Sequence, residues 1–313
     1  PSKPVARPAV PPPATAAIAP PAAPAEPASA ADFVDLATGP DDGGTPTSDA
    51  LPGTEPVPTA AAGTPQPSAP SDTPSTEATD PAPPPQAEAP AAPLPALPGS
   101  RRQRFRVYWG DYTDALSVAR LEYRLVNDGD RYEVRTEGEA EGLLSLVYSG
   151  TLTQSSAGRL GAAGLQPVRY AETRGRRPER SVAFDPDAGQ LLPAGREAVP
   201  LPAGTQDRLS VFYQIGLLAR ARPERFVAGT GFDLPVATMR EVRTERFVVV
   251  GTDVLLVPGG PVHALHLSRP SPPGTDDPRI DLWLGYDFEM LPVRLRIEDA
   301  GRRVLDQVID LGG

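Results

Sequence analysis

The sequence predicts a mostly β domain: a long antiparallel meander forming a strongly curved sheet or partly open barrel around one enclosed helix, preceded by a disordered tail. Three observations carry this. From Arg104 onward, apolar and polar residues alternate with period two; Gly, Pro, Asn and Asp break the alternation at short intervals; and one segment near 205–220 is apolar almost all round.

Composition divides the chain before any element is placed. Residues 1–100 hold 27 of the 42 prolines and 11 acidic residues against two basic ones, with no Trp, Tyr or His. Such a segment buries too little apolar surface to offset its ordering entropy, so it is expected to be a disordered, acidic Pro/Ala-rich spacer. Its one apolar cluster is Ala31-Asp-Phe-Val-Asp-Leu36, read as an incidental patch or a short docking motif. Residues 101–313 carry 28 arginines against 29 carboxylates, which is the composition of a folded domain. The net charge of −10 therefore belongs to the spacer, and it argues against nucleic acid as a partner.

In the folded part, Phe105, Val107 and Trp109 share one face of a first strand. Ser117, Ala119, Leu121, Tyr123 and Leu125 alternate with charged residues, Asn127-Asp-Gly-Asp130 turns the chain, and Tyr132 and Val134 return. Further strands are expected near 143–153, 166–174, 179–185, 232–238, 241–250, 253–257, 261–269, 279–286, 291–299 and 303–311. At 205–220, Thr205 is expected to cap a helix, Asp207 lies in its first turn, and Pro223 forbids its continuation.

The residues Phe105-Arg-Val-Tyr-Trp-Gly110, Gln206-Asp-Arg-Leu-Ser210, Trp283-Leu-Gly-Tyr286 and Leu291-Pro-Val-Arg-Leu-Arg-Ile297 resemble the bacterial domain-of-unknown-function family 3108 over about residues 102–311. The resemblance implies an exported or envelope protein without an established activity. A weaker, fold-level similarity is to the periplasmic lipoprotein carriers, whose curved sheet encloses helices around an apolar cavity. By that similarity the closing strands, with Ile280, Leu282, Leu284 and Leu291–Ile297 turned inward, would seal one edge of the sheet. Leu209, Phe212, Tyr213, Ile215 and Trp283 would line the cavity.

The chemistry of the chain narrows the reading. There is no cysteine, and the folded part has no lysine, which removes thiolate, Ser-Lys and Schiff-base chemistry. His263 and His266 sit three apart on a strand, so alternation sends them to opposite faces and no metal site is expected. Carboxylate clusters such as Asp276-Asp277-Pro278 read as turn residues. Arg174, Arg176 and Arg177 at a hairpin tip are candidates to contact anionic groups, whether phospholipid headgroups, an acidic protein or the acidic tail itself.

The resulting expectation is a periplasmic or envelope protein, not an enzyme and without a cofactor, that binds an apolar ligand, lipid or protein segment in the concave face. The alternative is a structural or assembly factor acting through its outer surface. A preformed pocket of about 300 Å³ or more beside the helix would favour the first. No run of apolar residues is long enough to span a membrane. Because the chain begins at Pro1, an upstream signal or anchor is expected to be missing from it.

Overall fold

The structure, a computed structural model, describes residues 93–141 and 151–312. The spacer over 1–92, and most of the strand expected at 143–153, lie outside the described residues. The strands are Arg101–Trp109 (β1), Ser117–Asn127 (β2), Arg131–Ala140 (β3), Thr151–Gly161 (β4), Gly164–Arg174 (β5), Arg180–Asp185 (β6), Gln190–Pro193 (β7), Val199–Pro200 (β8), Gln206–Asp207 (β9), Gly231–Ala237 (β10), Val242–Val257 (β11), Gly260–Arg269 (β12), Arg279–Gly285 (β13), Leu291–Glu298 (β14) and Val304–Ile309 (β15). Among the described residues there is one α-helix, Ser210–Ala221 (α1), between β9 and β10.

All fifteen strands form one sheet, in the order β8 back to β1, then β15 back to β9. Its curvature follows from connectivity. Laid flat at about 4.8 Å per strand, the two edges would stand roughly 67 Å apart. Yet the edge strands β8 and β9 are joined by residues 201–205 alone, a link that spans about 20 Å when fully extended. The sheet must therefore curl until its edges approach, and it does so as a curved open sheet that stops short of a closed barrel.

The first and last strands meet in the middle: β1 pairs antiparallel with β15, with Phe105 opposite Ile309 and Trp109 opposite Leu305. This corrects the expectation that the closing strands seal an edge. β13, β14 and β15 are central, and the edges fall to the two-residue strands β8 and β9. Short edges with a proline at position 200 offer little template for pairing with another chain. The two strands expected at 241–250 and 253–257 are one strand, β11, whose register shifts by a bulge between Val249 and Gly251.

The helix fills the concavity. Nine of its twelve residues are buried, which only an enclosed helix achieves, and it touches β5 on one limb of the sheet and β14 on the other. It begins at Ser210, not at Thr205. Gln206 and Asp207 are taken instead by a parallel pairing with Val236 and Ala237 of β10. Gly216 lies so close to the Met290 carbonyl that an added Cβ would stand 2.3 Å from its oxygen, so only glycine lets the helix approach β14 this closely.

The folded unit starts before Arg101. Leu97 is buried in the core, the Leu94 N–H donates to the Ala162 carbonyl, and Arg220 donates to the carbonyl of Ala96. Residues 93–100, read from composition as the end of the spacer, thus pack on the domain.

Enclosure of the helix has a measurable consequence. Ile215 is fully buried, and Ile215→Ala should cost about 2–5 kcal/mol in denaturant unfolding, from lost transfer energy plus the cavity left behind. A change below about 0.5 kcal/mol would place the helix outside the core.

Candidate functional site

Between the start of α1 and the concave face of β10–β14 lies a half-open cavity of about 120 Å³. Leu209, Val211 and Phe212 form one wall, and Val236, Phe247, Ile280, Leu295 and Ile297 form the apolar wall opposite. Tyr123 lies deeper, its hydroxyl donating to Gln307 Oε1 at 2.8 Å, and burial holds its phenol well above the ordinary value. The other side of the cavity is charged, with Arg208, Arg243, Glu245, Arg269 and Asp277.

Strand alternation assembles that charged side. Arg243, Glu245 and Phe247 are alternate residues of β11, so all three face the cavity. Arg243 holds Asp277 through two contacts of 3.0 and 3.3 Å, and Arg269 holds Glu245 at 2.7 Å. Both carboxylates are therefore committed to guanidinium groups. Arg269 is the exception in its own bonding: its side chain is only 8% exposed, yet its Nε has no hydrogen-bond partner among the described residues. An unmet buried donor costs roughly 1–3 kcal/mol.

The structure brings together only part of the set expected from sequence. Leu209 and Phe212 line the cavity. Tyr213 and Ile215 do not, because the helix turns them into the solid core. Trp283 requires a correction: Ile280 faces the cavity, so residue 283, an odd number of positions along the same strand, points to the convex side. Arg174 is also corrected. It is 6% exposed and pairs with buried Glu172 at 3.3 Å, so it is no surface contact, whereas Arg176 and Arg177 are exposed on the following turn. Sequence reasoning missed Arg243, Glu245 and Arg269, although the period-two spacing of Arg243, Glu245 and Phe247 held the signal. It also took Asp277 for a turn residue alone.

On the convex face Trp283 is the centre of a stack that crosses three strands and ends on the loop after β1. His266 of β12 lies 4.1 Å from its ring at 16°, and the Arg294 guanidinium lies 4.3 Å from it on β14, with Tyr112 beyond at 4.5 Å. Carboxylates rim the stack. Trp283 Nε1 donates to Asp253 at 2.7 Å, His266 lies 3.1 Å from Asp253 and 3.3 Å from Asp281, and Arg294 makes a two-pronged pair with Asp306 at 2.9 and 2.7 Å. His263, on the opposite face of β12, is exposed. Among the described residues no cluster of three or more His, Cys, Asp or Glu has the arrangement to hold a metal ion.

Burial raises the proton affinity of Asp281, but hydrogen bonds from His266, Arg279 and Ser268 more than offset it, so its carboxyl sits below the ordinary range. A folded-state value below the unfolded one gives stability that is present above about pH 4 and lost as pH falls through the folded value. The stability gap between the parent and Asp281→Asn should therefore be widest above about pH 5 and narrow steadily towards pH 2–3. Chemical denaturation across that range checks it, and a gap constant with pH would contradict it.

No curated protein of known function matches the chain. Solved structures match the chain, three of them as follows. The β-barrel-like protein of domain of unknown function DUF1849 from Brucella abortus is 12% identical, covers 70% of this chain and 97% of its own, and has a TM-score of 0.44. A "putative lipoprotein" from Parabacteroides distasonis is 7% identical, with coverage of 71% and 99% and a TM-score of 0.28. A "putative exported protein" with a YmcC-like fold from Bacteroides fragilis is 12% identical, with coverage of 70% and 98% and a TM-score of 0.26. Nothing about the function of this chain follows from likenesses at those scores. Residues 104–304 match the family described as Protein of unknown function (DUF3108), and the chain belongs to that family.

Proposed function

We propose that this is a non-enzymatic protein of the cell envelope that holds one small amphipathic group, a lipid end or a protein side chain, in the cavity beside α1. The observation that carries the reading is the cavity's two-sided lining, with apolar side chains of α1, β10, β13 and β14 on one side and Arg208, Arg243 and Arg269 on the other. Such a site favours a ligand with an apolar body and an acceptor at one end. The two carboxylates in the lining are each held by an arginine, which supports binding over acid–base chemistry.

Size restricts the ligand. At about 120 Å³ the cavity is smaller than the 300 Å³ expected of a carrier, and it is of the order that admits a single ring in an engineered apolar cavity. It takes one ring or a short alkyl segment and not a whole acyl chain. The envelope placement is supported by the family resemblance and the spacer-like composition of the first hundred residues. A contact with anionic surfaces, if made at the β5–β6 turn, falls to Arg176 and Arg177.

The second reading, a structural or assembly factor, is favoured by the helix, which occupies most of the concavity with its own side chains. Titration with 4-fluorophenylacetate, followed by ¹⁹F NMR, separates the two. Saturable binding with a dissociation constant of about 1 mM or below is expected, lost in Val236→Phe, which fills the cavity, and weakened in Arg208→Gln. No saturable binding up to about 10 mM would leave the structural reading in its place.

A further inference from the structure

We propose that the ligand of the cavity is a small acid with a carbonyl group on its apolar body, its carboxylate at the arginine side and its carbonyl oxygen bonded to the side-chain amide of Gln307. The proposal rests on the binding reading above and names the ligand's second polar group.

The inner end of the cavity is set by β2, β4 and β15, which supply Tyr123, Gln154 and Gln307 to its lining. Gln307 is 5% exposed, and its Oε1 accepts from the Tyr123 hydroxyl. That bond uses the oxygen half of the amide and leaves the nitrogen half to be served. Nε2 carries two N–H donors, and it makes no hydrogen bond among the described residues. Nor is it one of the unpartnered atoms that the protein seals off, as Arg269 Nε is. An acceptor entering the cavity therefore reaches it. Gln154 is less available, since its amide nitrogen already donates to the Tyr170 hydroxyl at 3.0 Å.

A second cavity of about 20 Å³ shares Gln154 and Gln307 with the first and is otherwise walled by Val107, Leu121, Gly138, Leu152 and Leu305. The two glutamines thus stand between a chamber that takes a ring or short alkyl segment and an apolar recess with room for one water-sized group. A ligand whose body fills the chamber meets Gln307 at its inner end. What suits that place is a carbonyl with a small substituent, its oxygen on the amide N–H and the substituent towards the recess. The charged end of the ligand stays on the other side, where Arg243 is 39% exposed and three arginines outnumber two carboxylates. A site with a buried donor rejects a ligand of the same shape that lacks the acceptor, because the donor is then left unpaired.

The test uses the full-length parent and two compounds of equal shape, 4-acetylphenylacetate and 4-isopropenylphenylacetate, each competing with 4-fluorophenylacetate in ¹⁹F NMR. The ketone should displace the probe about three- to tenfold more effectively than the alkene, the worth of one neutral hydrogen bond. In the double variant Tyr123→Phe with Gln307→Leu, which removes both partners of the inner bond so that neither is left unpaired, the preference should vanish. In the parent, the Gln307 side-chain amide signals should shift with the ketone and not with the alkene, a readout independent of how the double variant folds. Equal competition by the two compounds, as when a fixed water serves Nε2, overturns the carbonyl assignment and leaves the cavity reading standing. So does a preference that survives in the double variant, or a bound probe that neither compound displaces. A probe that does not bind the parent overturns both.

Discussion

The fold turns on one fully buried carboxylate, that of Asp207. Its Oδ1 accepts from the backbone N–H groups of Leu209 and Ser210 at 2.8 Å each, its Oδ2 accepts from Ser156 Oγ on β4 at 2.6 Å, and its own N–H donates to Ser210 Oγ. Burial pushes its proton affinity up, and these donors offset part of that cost. A buried acid is tolerable only where its lone pairs are met, and here the donors come from two parts of the structure, the β4 wall and the start of the helix. The sheet wall, the last edge strand and the first turn of the helix are thereby fixed to one point. Ser156 passes the network on to Tyr132 on β3 at 3.1 Å.

Two glutamines complete the joint. Gln206 Nε2 donates to the Leu165 carbonyl, while Gln214 accepts from the Leu165 N–H and donates to the Ala163 carbonyl. Beyond residues 169–172 of β5, where β6 pairs, these side chains serve backbone groups that have no β6 residue beside them. The helix thus takes the place of the strand that would have closed the barrel. Arg208 and Leu209, lying between Asp207 and the helix, are delivered to the cavity by the same geometry. The run Gln206-Asp-Arg-Leu-Ser210 consequently holds edge pairing, helix start and cavity wall in five consecutive residues.

Much of this was legible in the sequence. The β2–β3 hairpin and strands β12–β15 follow from period-two alternation and turn residues, because one face of each is dry. β4 was not legible, since its inward face carries Ser156, whose role depends on Asp207, 51 residues away. β7, β8 and β9 are too short to show any period. Thr205 looked like a cap because a sequence does not reveal that Gln206 and Asp207 pair with β10. Trp283 is the instructive case: its alternation with Ile280, Leu282 and Leu284 already placed it on the convex face, and the similarity to lipoprotein carriers wrongly overrode that. Of the cavity, the apolar half could be read from the helix, while the charged half depended on which strands the curl brings opposite one another.

Native-state hydrogen exchange of the parent and Asp207→Ala tests the joint most directly, because local openings report which elements are tied together. If Asp207 fixes helix, edge and wall to one point, protection at Leu165 and across 210–221 should fall together, while β1, β14 and β15 keep theirs. A uniform loss across the whole sheet, or unchanged protection in the helix, would contradict that account.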